Sequence, residues 1–271
     1  MAQGNAAFAA HAFSLYDTPK YPAGFNHFDY VNPDAPKGGE LFLANPDRRS
    51  SFDKFNPYSL KGVAAAGVSN LMFETLAVSS GDEVATMYGL LADDMVLATD
   101  KLAMTFHINP KARFNNGDAV LAADVKYSFD TLMAKGAPQF KSIFAEVKRC
   151  VVVDERTVRF EFKSLNHELP LIVGSVPVFS RKWAAGTEFD KIQLVAPVVS
   201  GPYLIDRYDT GRSISYKLNP DYWGANVPTR KGTFNFERIN YRFYKDDVAK
   251  LEAFKAGEFD LVVEYSQELG A

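Results

Sequence analysis

The sequence predicts an α/β protein with mixed sheets and α+β character. Segments in which apolar and polar residues alternate, as in half-buried strands, are interspersed with segments of helical spacing. Their order lacks the strict strand–helix–strand rhythm of a doubly wound sheet. The 22 Phe and 13 Tyr residues suit a strand-rich fold and can also line a ligand cleft.

Composition excludes several classes of protein. The 271 residues are 47% hydrophobic and 23% charged, which is ordinary for a globular chain and allows one large domain or two smaller ones. The net charge is −3 without a block of one sign, so no nucleic-acid partner is expected. No stretch approaches the ~18 apolar residues of a membrane span. The lone cysteine, Cys150, lies in an apolar run and is predicted to be a core thiol.

The first elements follow from spacing and turn residues. Residues 16–36 are dense in Tyr, Phe, Asn, Asp and Pro, which predicts an extended arm. Residues 40–45 follow a Gly-Gly turn and alternate as a strand does. Apolar residues at helical spacing predict a helix over residues 64–77. Residues 101–109 alternate again and predict a half-buried strand.

The second half predicts helices and hairpins. A helix is expected over residues 122–135, ended by Gly136. Two pairs of alternating segments with short polar turns predict β-hairpins: residues 148–153 with 157–163, and residues 202–208 with 213–218. The last elements are a strand over residues 238–244, a helix over residues 246–256 capped by Asp246, and a strand over residues 259–264.

The sequence carries no recognisable signature of catalysis or metal binding. None of the four histidines has another His or a Cys at zinc-ligand spacing, so no metal and no cofactor is expected. His107 lies on the polar face of its strand and is predicted to be a surface residue. No nucleophile elbow, phosphate-binding loop or dinucleotide fingerprint is present. These observations favour a protein that is not an enzyme, while a hydrolase on an α/β scaffold stays open as an alternative.

Several segments together resemble a known family. They are FNPY (55–58) with FETL (73–76), FHINPKARF (106–114) with NGD (116–118) and AADV (122–125), SGPY (200–203) with NPDYW (219–223), and AFKAGEFDL (253–261). In this order they resemble the peptide/nickel-type extracellular solute-binding proteins of ABC importers. The arm FNHFDYVNP (25–33) with APKGG (35–39) is similar to the Yej-type oligopeptide-binding subgroup.

The resemblance implies a fold and a division of the chain. It implies the first lobe of a periplasmic-binding-protein-like type II fold with a small inserted domain, the second lobe lying outside this sequence. The expected parts are residues 1–24 as an N-terminal arm or signal remnant, residues 25–54 and 170–271 as the two parts of the first lobe, and residues 55–169 as the inserted domain. The signal remnant is suggested by A-x-A-like triplets within residues 7–12, and a frayed terminus of a cytosolic protein is the alternative.

The resemblance also implies a function and ligand-binding positions. The chain is expected to be the periplasmic component that captures oligopeptides or peptide-like compounds for an ABC permease in the inner membrane. A fragment that does not bind until a separate second lobe is supplied is another alternative. By position, the candidate ligand-binding residues are Lys61, Gly62, Val63, Gln139, Phe140, Ser200 and Gly201.

Each of these positions also has a purely structural interpretation. Where peptide binders of the family often carry an acidic residue this chain has Lys61, whose cation suits a carboxylate or another anionic group. It could equally be a solvated lysine beside a turn glycine. Phe140 could stack on a ligand or belong to the core, and Ser200 and Gly201 could simply form the turn that Pro202 requires.

Overall fold

The computed structural model describes residues 10–46, 50–183 and 188–262. The strands, in chain order, are β1 (Ala12–Ser14), β2 (Glu40–Ala44), β3 (Glu74–Thr75), β4 (Ala77–Ser79), β5 (Thr86–Gly89), β6 (Ala92–Leu97), β7 (Ala103–Ile108), β8 (Val147–Val152), β9 (Thr157–Phe162), β10 (Pro177–Val178), β11 (Tyr203–Asp209), β12 (Ser213–Leu218) and β13 (Arg238–Arg242). The helices are α1 (Val68–Met72), α2 (Ala122–Lys135), α3 (Gln139–Ile143), α4 (Leu169–Gly174) and α5 (Asp247–Lys255).

One four-stranded sheet has the order β11-β12-β13-β2. The predicted hairpin forms its first two strands, and β13 pairs with β2 in parallel, with Tyr241 opposite Leu43. On the other side of β2, Leu261 makes a single parallel bridge to Leu43. The strand expected over residues 259–264 is therefore a bridge in its described part, and residues 263 and 264 lie outside the described residues.

The other four-stranded sheet has the order β6-β7-β9-β8 and is antiparallel throughout. In β7, Met104, Phe106 and Ile108 are buried while the residues between them are partly exposed, which confirms the predicted alternation. Helix α2 has the predicted bounds and packs its buried face on this sheet. The Phe129 ring meets the Phe160 ring edge to face at 5.5 Å between centroids.

Both sheets contribute to one hydrophobic core, which contains Phe106 and Phe160 from one sheet and Tyr216 and Ile239 from the other. The mixed α/β class is confirmed. Strands β7 and β13 lie in different sheets, as the proposed division of the chain requires. The boundaries of the four expected parts stay a prediction.

The helix predicted over residues 64–77 is wrong in extent. Only α1 is helical, and Phe73 leaves it with extended backbone before β3 and β4. Strand β3 pairs with β10, and Glu74 within it is buried. Tertiary pairing outweighs the local helical spacing here. Strands β5 and β6 were not predicted, because their residues do not alternate between apolar and polar. In β6, a bulge between Ala92 and Asp94 interrupts the pairing with β7.

The N-terminal arm has no regular structure over residues 16–36, as predicted. Its Tyr21 and Phe28 rings are buried against Tyr88 of β5. The Lys20 ammonium lies 2.6 Å from an Asp82 carboxylate oxygen. Burial raises the pKa of Asp82, but hydrogen bonds from Lys20, Ser80 and Tyr21 outweigh it and hold that pKa below its ordinary value. Aromatic packing on Tyr88 and the ion pair between Lys20 and Asp82 therefore hold the arm against the rest of the chain.

Candidate ligand-binding cleft

A cleft opens where the parallel strands β2 and β13 both end. Its volume is about 340 Å³, and it is lined by Asn45, Pro46, Ser51, Pro57, residues 63–70, Tyr241 and Phe243. The crevice outside the carboxyl ends of parallel strands is where open α/β sheets bind ligands. Asn45 joins the two strand ends, because its backbone N–H donates to the Arg242 carbonyl at 2.9 Å and its side chain accepts from the Tyr244 N–H at 2.9 Å.

The wall formed by α1 is closely fitted to Tyr241. Gly67 precedes α1 with φ +80°, and a Cβ atom there would lie 2.5 Å from Cε2 of the Tyr241 ring. Neighbouring Tyr216 donates its hydroxyl to the Ala66 carbonyl at 2.6 Å. Glycine is required at position 67 both for the backbone conformation and for the approach of the ring. The cleft is therefore preformed on this side.

None of the described residues that line the cleft carries a charged side chain. Burial raises the pKa of Tyr241, so its phenol is neutral at physiological pH. Small side chains over residues 64–67 and the apolar surface of Tyr241 and Phe243 form much of the lining, and Ser51, Ser69 and Asn70 add neutral polar groups. Such a lining suits apolar contacts and neutral hydrogen bonds rather than proton transfer.

The rim loop, residues 59–63, borders this cleft. Val63 lines it, and its N–H donates to Asp53 Oδ1 at 2.6 Å. Gly62 has φ +81°, and a Cβ atom there would lie 2.6 Å from Asp53 Oδ1. Lys61 is exposed beside them. The structure thus brings Val63 to the cleft and Lys61 and Gly62 to its edge.

A buried lysine lies under the rim loop, at a position that sequence reasoning missed. Lys54 is 2% exposed, and its ammonium donates to the Ser59 carbonyl at 2.6 Å, the Ser59 hydroxyl at 2.9 Å and the Lys61 carbonyl at 2.5 Å. The sequence contains a weak signal of this burial, because Phe52 and Lys54 are two residues apart and lie on the same face of an extended segment. Phe52 on that face is buried as well.

The remaining candidate residues lie elsewhere. Gln139 is exposed at the start of α3, and Phe140 is half-buried, with its ring 5.8 Å from the Tyr58 ring next to the cleft residue Pro57. Ser200 and Gly201 are buried beneath the end of α1, where the Gly201 N–H donates to the Met72 carbonyl at 2.8 Å. The Ser200 hydroxyl finds no hydrogen-bond partner among the described residues. Ligand contact by these four residues stays a prediction.

Two further features bear on chemistry. Burial raises the pKa of the Cys150 thiol to about 12, which confirms a core thiol. His107 is partly exposed and its Nδ1 lies 2.7 Å from Asp93 Oδ1, so it is a surface residue as predicted. Within residues 10–46, 50–183 and 188–262, no group of three or more His, Cys, Asp or Glu side chains could hold a metal ion. No helix in these ranges is long and apolar enough to cross a membrane.

Solved structures define the class of fold. The structure of NikA from Brucella suis in complex with Fe(III)-EDTA matches 83% of this chain and 43% of that chain, with a TM-score of 0.66 and 22% identity. The oligopeptide-binding protein AppA from Bacillus subtilis, in complex with a nonapeptide, matches 84% of this chain and 44% of that chain, with a TM-score of 0.65 and 18% identity. The fold is that of the type II solute-binding proteins.

The family follows from the sequence. The model of the bacterial extracellular solute-binding proteins, family 5 middle region, matches residues 86–269, and the chain belongs to this family. It is 38% identical over 264 residues to the uncharacterized protein YejA of Escherichia coli K12, covering 97% of this chain and 42% of that protein. It is 37% identical over 256 residues to the probable peptide-binding protein YejA of Agrobacterium fabrum, covering 91% and 41%.

A third relative carries a different name. The chain is 36% identical over 263 residues to the peptidoglycan-binding protein YepA of Agrobacterium fabrum, covering 94% of this chain and 42% of that protein. The chain therefore spans well under half the length of these curated relatives. The resemblance to the Yej-type subgroup, drawn from the arm and the internal motifs, is confirmed.

Proposed function

We propose that the chain is part of the periplasmic solute-binding component of an ABC importer, and that it captures oligopeptides or peptide-like compounds. It carries out no chemistry on them and delivers them, within the whole protein, to a permease in the inner membrane. The observation that carries the proposal is the cleft at the shared carboxyl ends of β2 and β13, in whose lining no described residue is charged.

The lining of the cleft supports peptides as the ligand class. A binder of varied peptides must recognise the backbone that all of them share, and leave room for different side chains. The small side chains over residues 64–67 leave room in the cleft, the neutral Tyr241 ring supplies apolar surface, and the Ser69 and Asn70 side chains can hydrogen-bond a peptide backbone. The names of a probable peptide-binding relative and of a structural neighbour holding a nonapeptide point the same way.

The rim loop supports a preference for ligands with an anionic group. Lys61 is exposed in the rim loop two residues before Val63, and the described residues that line the cleft carry no charge. In this proposal the Lys61 ammonium pairs with a carboxylate at one end of a peptide. Lys61, Gly62 and Val63 contact the ligand directly, and Gln139 and Phe140 contact its far end. Ser200 and Gly201, buried beneath α1, are the remaining ligand-binding candidates.

Calorimetry on the 271-residue chain with a mixed pool of tri- to decapeptides tests the proposal. Because the chain is only part of the protein, it offers only part of the contacts to a ligand. If half of the ~8 kcal/mol binding free energy of a micromolar complex is lost, the dissociation constant becomes roughly millimolar. Reversing the charge with Lys61→Glu should weaken binding by roughly two- to thirtyfold, as expected for loss of an exposed ion pair and its replacement by repulsion.

The matched control is Lys148→Glu, which makes the same charge change on the exposed side of β8 in the other sheet. It should leave peptide binding unchanged. Absence of saturable binding with the unaltered chain at millimolar peptide, or equal weakening by the two variants, would contradict the proposal.

A further inference from the structure

The ammonium of Lys54 is one of the few charges buried within the described part of the chain. A buried charge is costly unless hydrogen bonds satisfy it. An ammonium has three N–H donors, and three of the oxygen atoms around Lys54 lie at 2.5–2.9 Å from it. These three belong to Ser59 and Lys61, so the ammonium links the buried segment to two points of the rim loop.

Packing alone does not hold the rim loop in place. Leu60, Lys61 and Gly62 are all exposed, and Leu60 has 68% of its surface in solvent. The loop is held instead by polar contacts on both sides: Lys54 binds its carbonyls, and Asp53 Oδ1 accepts from the Val63 N–H. These contacts draw the Lys61 carbonyl inward and leave its side chain at the surface.

We infer that Lys54 is a positioning residue for the cleft, whose buried ammonium fixes the rim loop so that Lys61 and Val63 face the ligand. The inference rests on the proposed function only in its consequence for binding. Lys54 is 2% exposed and does not line the cleft, so it does not touch a ligand there itself. Its effect on affinity must therefore pass through Lys61 and Val63.

Amide hydrogen exchange on the 271-residue chain tests the positioning without a ligand. In Lys54→Met, the Ser59 and Lys61 carbonyls lose their hydrogen bonds from a charged donor, which are stronger than hydrogen bonds between neutral groups. Hydrogen exchange at the amides of Val63 and Ala65 should therefore be about tenfold faster or more. Amides in β7 and β9 should exchange as before. Should Lys54→Met fail to fold, Ser59→Ala removes the hydroxyl acceptor alone, and it should quicken the same amides less. Unchanged exchange at Val63 and Ala65 would overturn the inference.

A double-mutant cycle tests the consequence for binding, with an acetylated tetrapeptide that keeps its free carboxylate as the probe. Lys54→Met and Lys61→Ala should each weaken binding, and the double variant should lose no more than about the larger single loss. Ser128→Ala, which removes a fully buried hydroxyl on α2, should cost stability and leave affinity unchanged. Additive losses from Lys54→Met and Lys61→Ala would overturn the inference. No binding by the unaltered chain would refute the proposed function, and hydrogen exchange would still decide the role of Lys54.

Discussion

Replacing the buried carboxylate of Glu74 with alanine should destabilise the fold strongly. The Glu74 side chain is 0% exposed and accepts hydrogen bonds from the Tyr222 hydroxyl, from Trp223 Nε1 at 3.0 Å and from Arg230 Nε at 3.4 Å. Burial, followed by the charge of Glu74, raises the pKa of Tyr222 well above its ordinary value, so its hydroxyl stays a donor. One carboxylate thereby fastens the irregular segment 219–231 to β3.

The size of the stability loss follows from the buried groups that the substitution leaves without a partner. Glu74→Ala removes the partner of a mostly buried guanidinium and the acceptor of two further donors. Breaking a buried ion pair from one side costs about 3–5 kcal/mol. At roughly 2–4 °C per kcal/mol for a chain of this size, the melting temperature should fall by about 6–20 °C.

Thermal unfolding followed by tryptophan fluorescence measures the effect, since Trp223 itself contacts Glu74. The matched control is Glu258→Ala, because Glu258 also accepts from a tyrosine hydroxyl, that of Tyr244 at 3.0 Å, but is 48% exposed. The control should cost at most about 1 kcal/mol. Equal losses for Glu74→Ala and Glu258→Ala would refute the reasoning that burial makes this carboxylate important.

Three further predictions concern the cleft wall, the arm and the thiol. Gly67→Ala should destabilise the chain and disturb the cleft, because its Cβ would meet the Tyr241 ring at 2.5 Å; unaltered thermal unfolding would contradict this. Because Asp82 has a lowered pKa in the folded chain, its contribution to arm docking is present above about pH 4 and is lost as pH falls below it. Pepsin should therefore cleave the arm of the unaltered chain faster as pH falls. In Asp82→Asn, which has no carboxylate at this position, the rate of arm cleavage should depend much less on pH. Cys150, with a pKa of about 12, should resist alkylation at pH 8 until the chain unfolds, and rapid labelling of the native chain would disprove its burial.

The spacing of apolar residues predicted those elements in which local spacing and tertiary packing favour the same structure. Helix α2 has both expected ends, since a run of apolar residues at helical spacing meets Gly136 and also finds a sheet to cover. The hairpin β11–β12 formed as predicted around its polar turn, with one register shift between Ile205 and Arg207 that the alternation did not indicate. The helix over residues 64–77 was too long, because burial of Glu74 in β3 depends on partners about 150 residues away that no local window contains.

The cleft was only partly accessible to sequence reasoning. Position within the family motifs singled out Lys61, Gly62 and Val63, of which Val63 lines the cleft and the other two lie in the adjoining rim loop. Tyr241 was seen only as a strand residue, since its approach to Gly67 follows from the parallel pairing of β13 with β2. Lysine is ordinarily exposed, so the burial of Lys54 becomes evident only from the carbonyls that surround it in the fold.

The central claim is that a peptide binds in the cleft where β2 and β13 end. Backbone amide NMR on the 271-residue chain, titrated with an acetylated tetrapeptide to millimolar concentration, tests it most directly. Binding in the cleft should produce saturable shift changes that cluster at Val63, Ser69 and Tyr241 and are weakened by Lys61→Glu. Saturable changes confined to the sheet β6-β7-β9-β8, or none at the cleft residues, would contradict it.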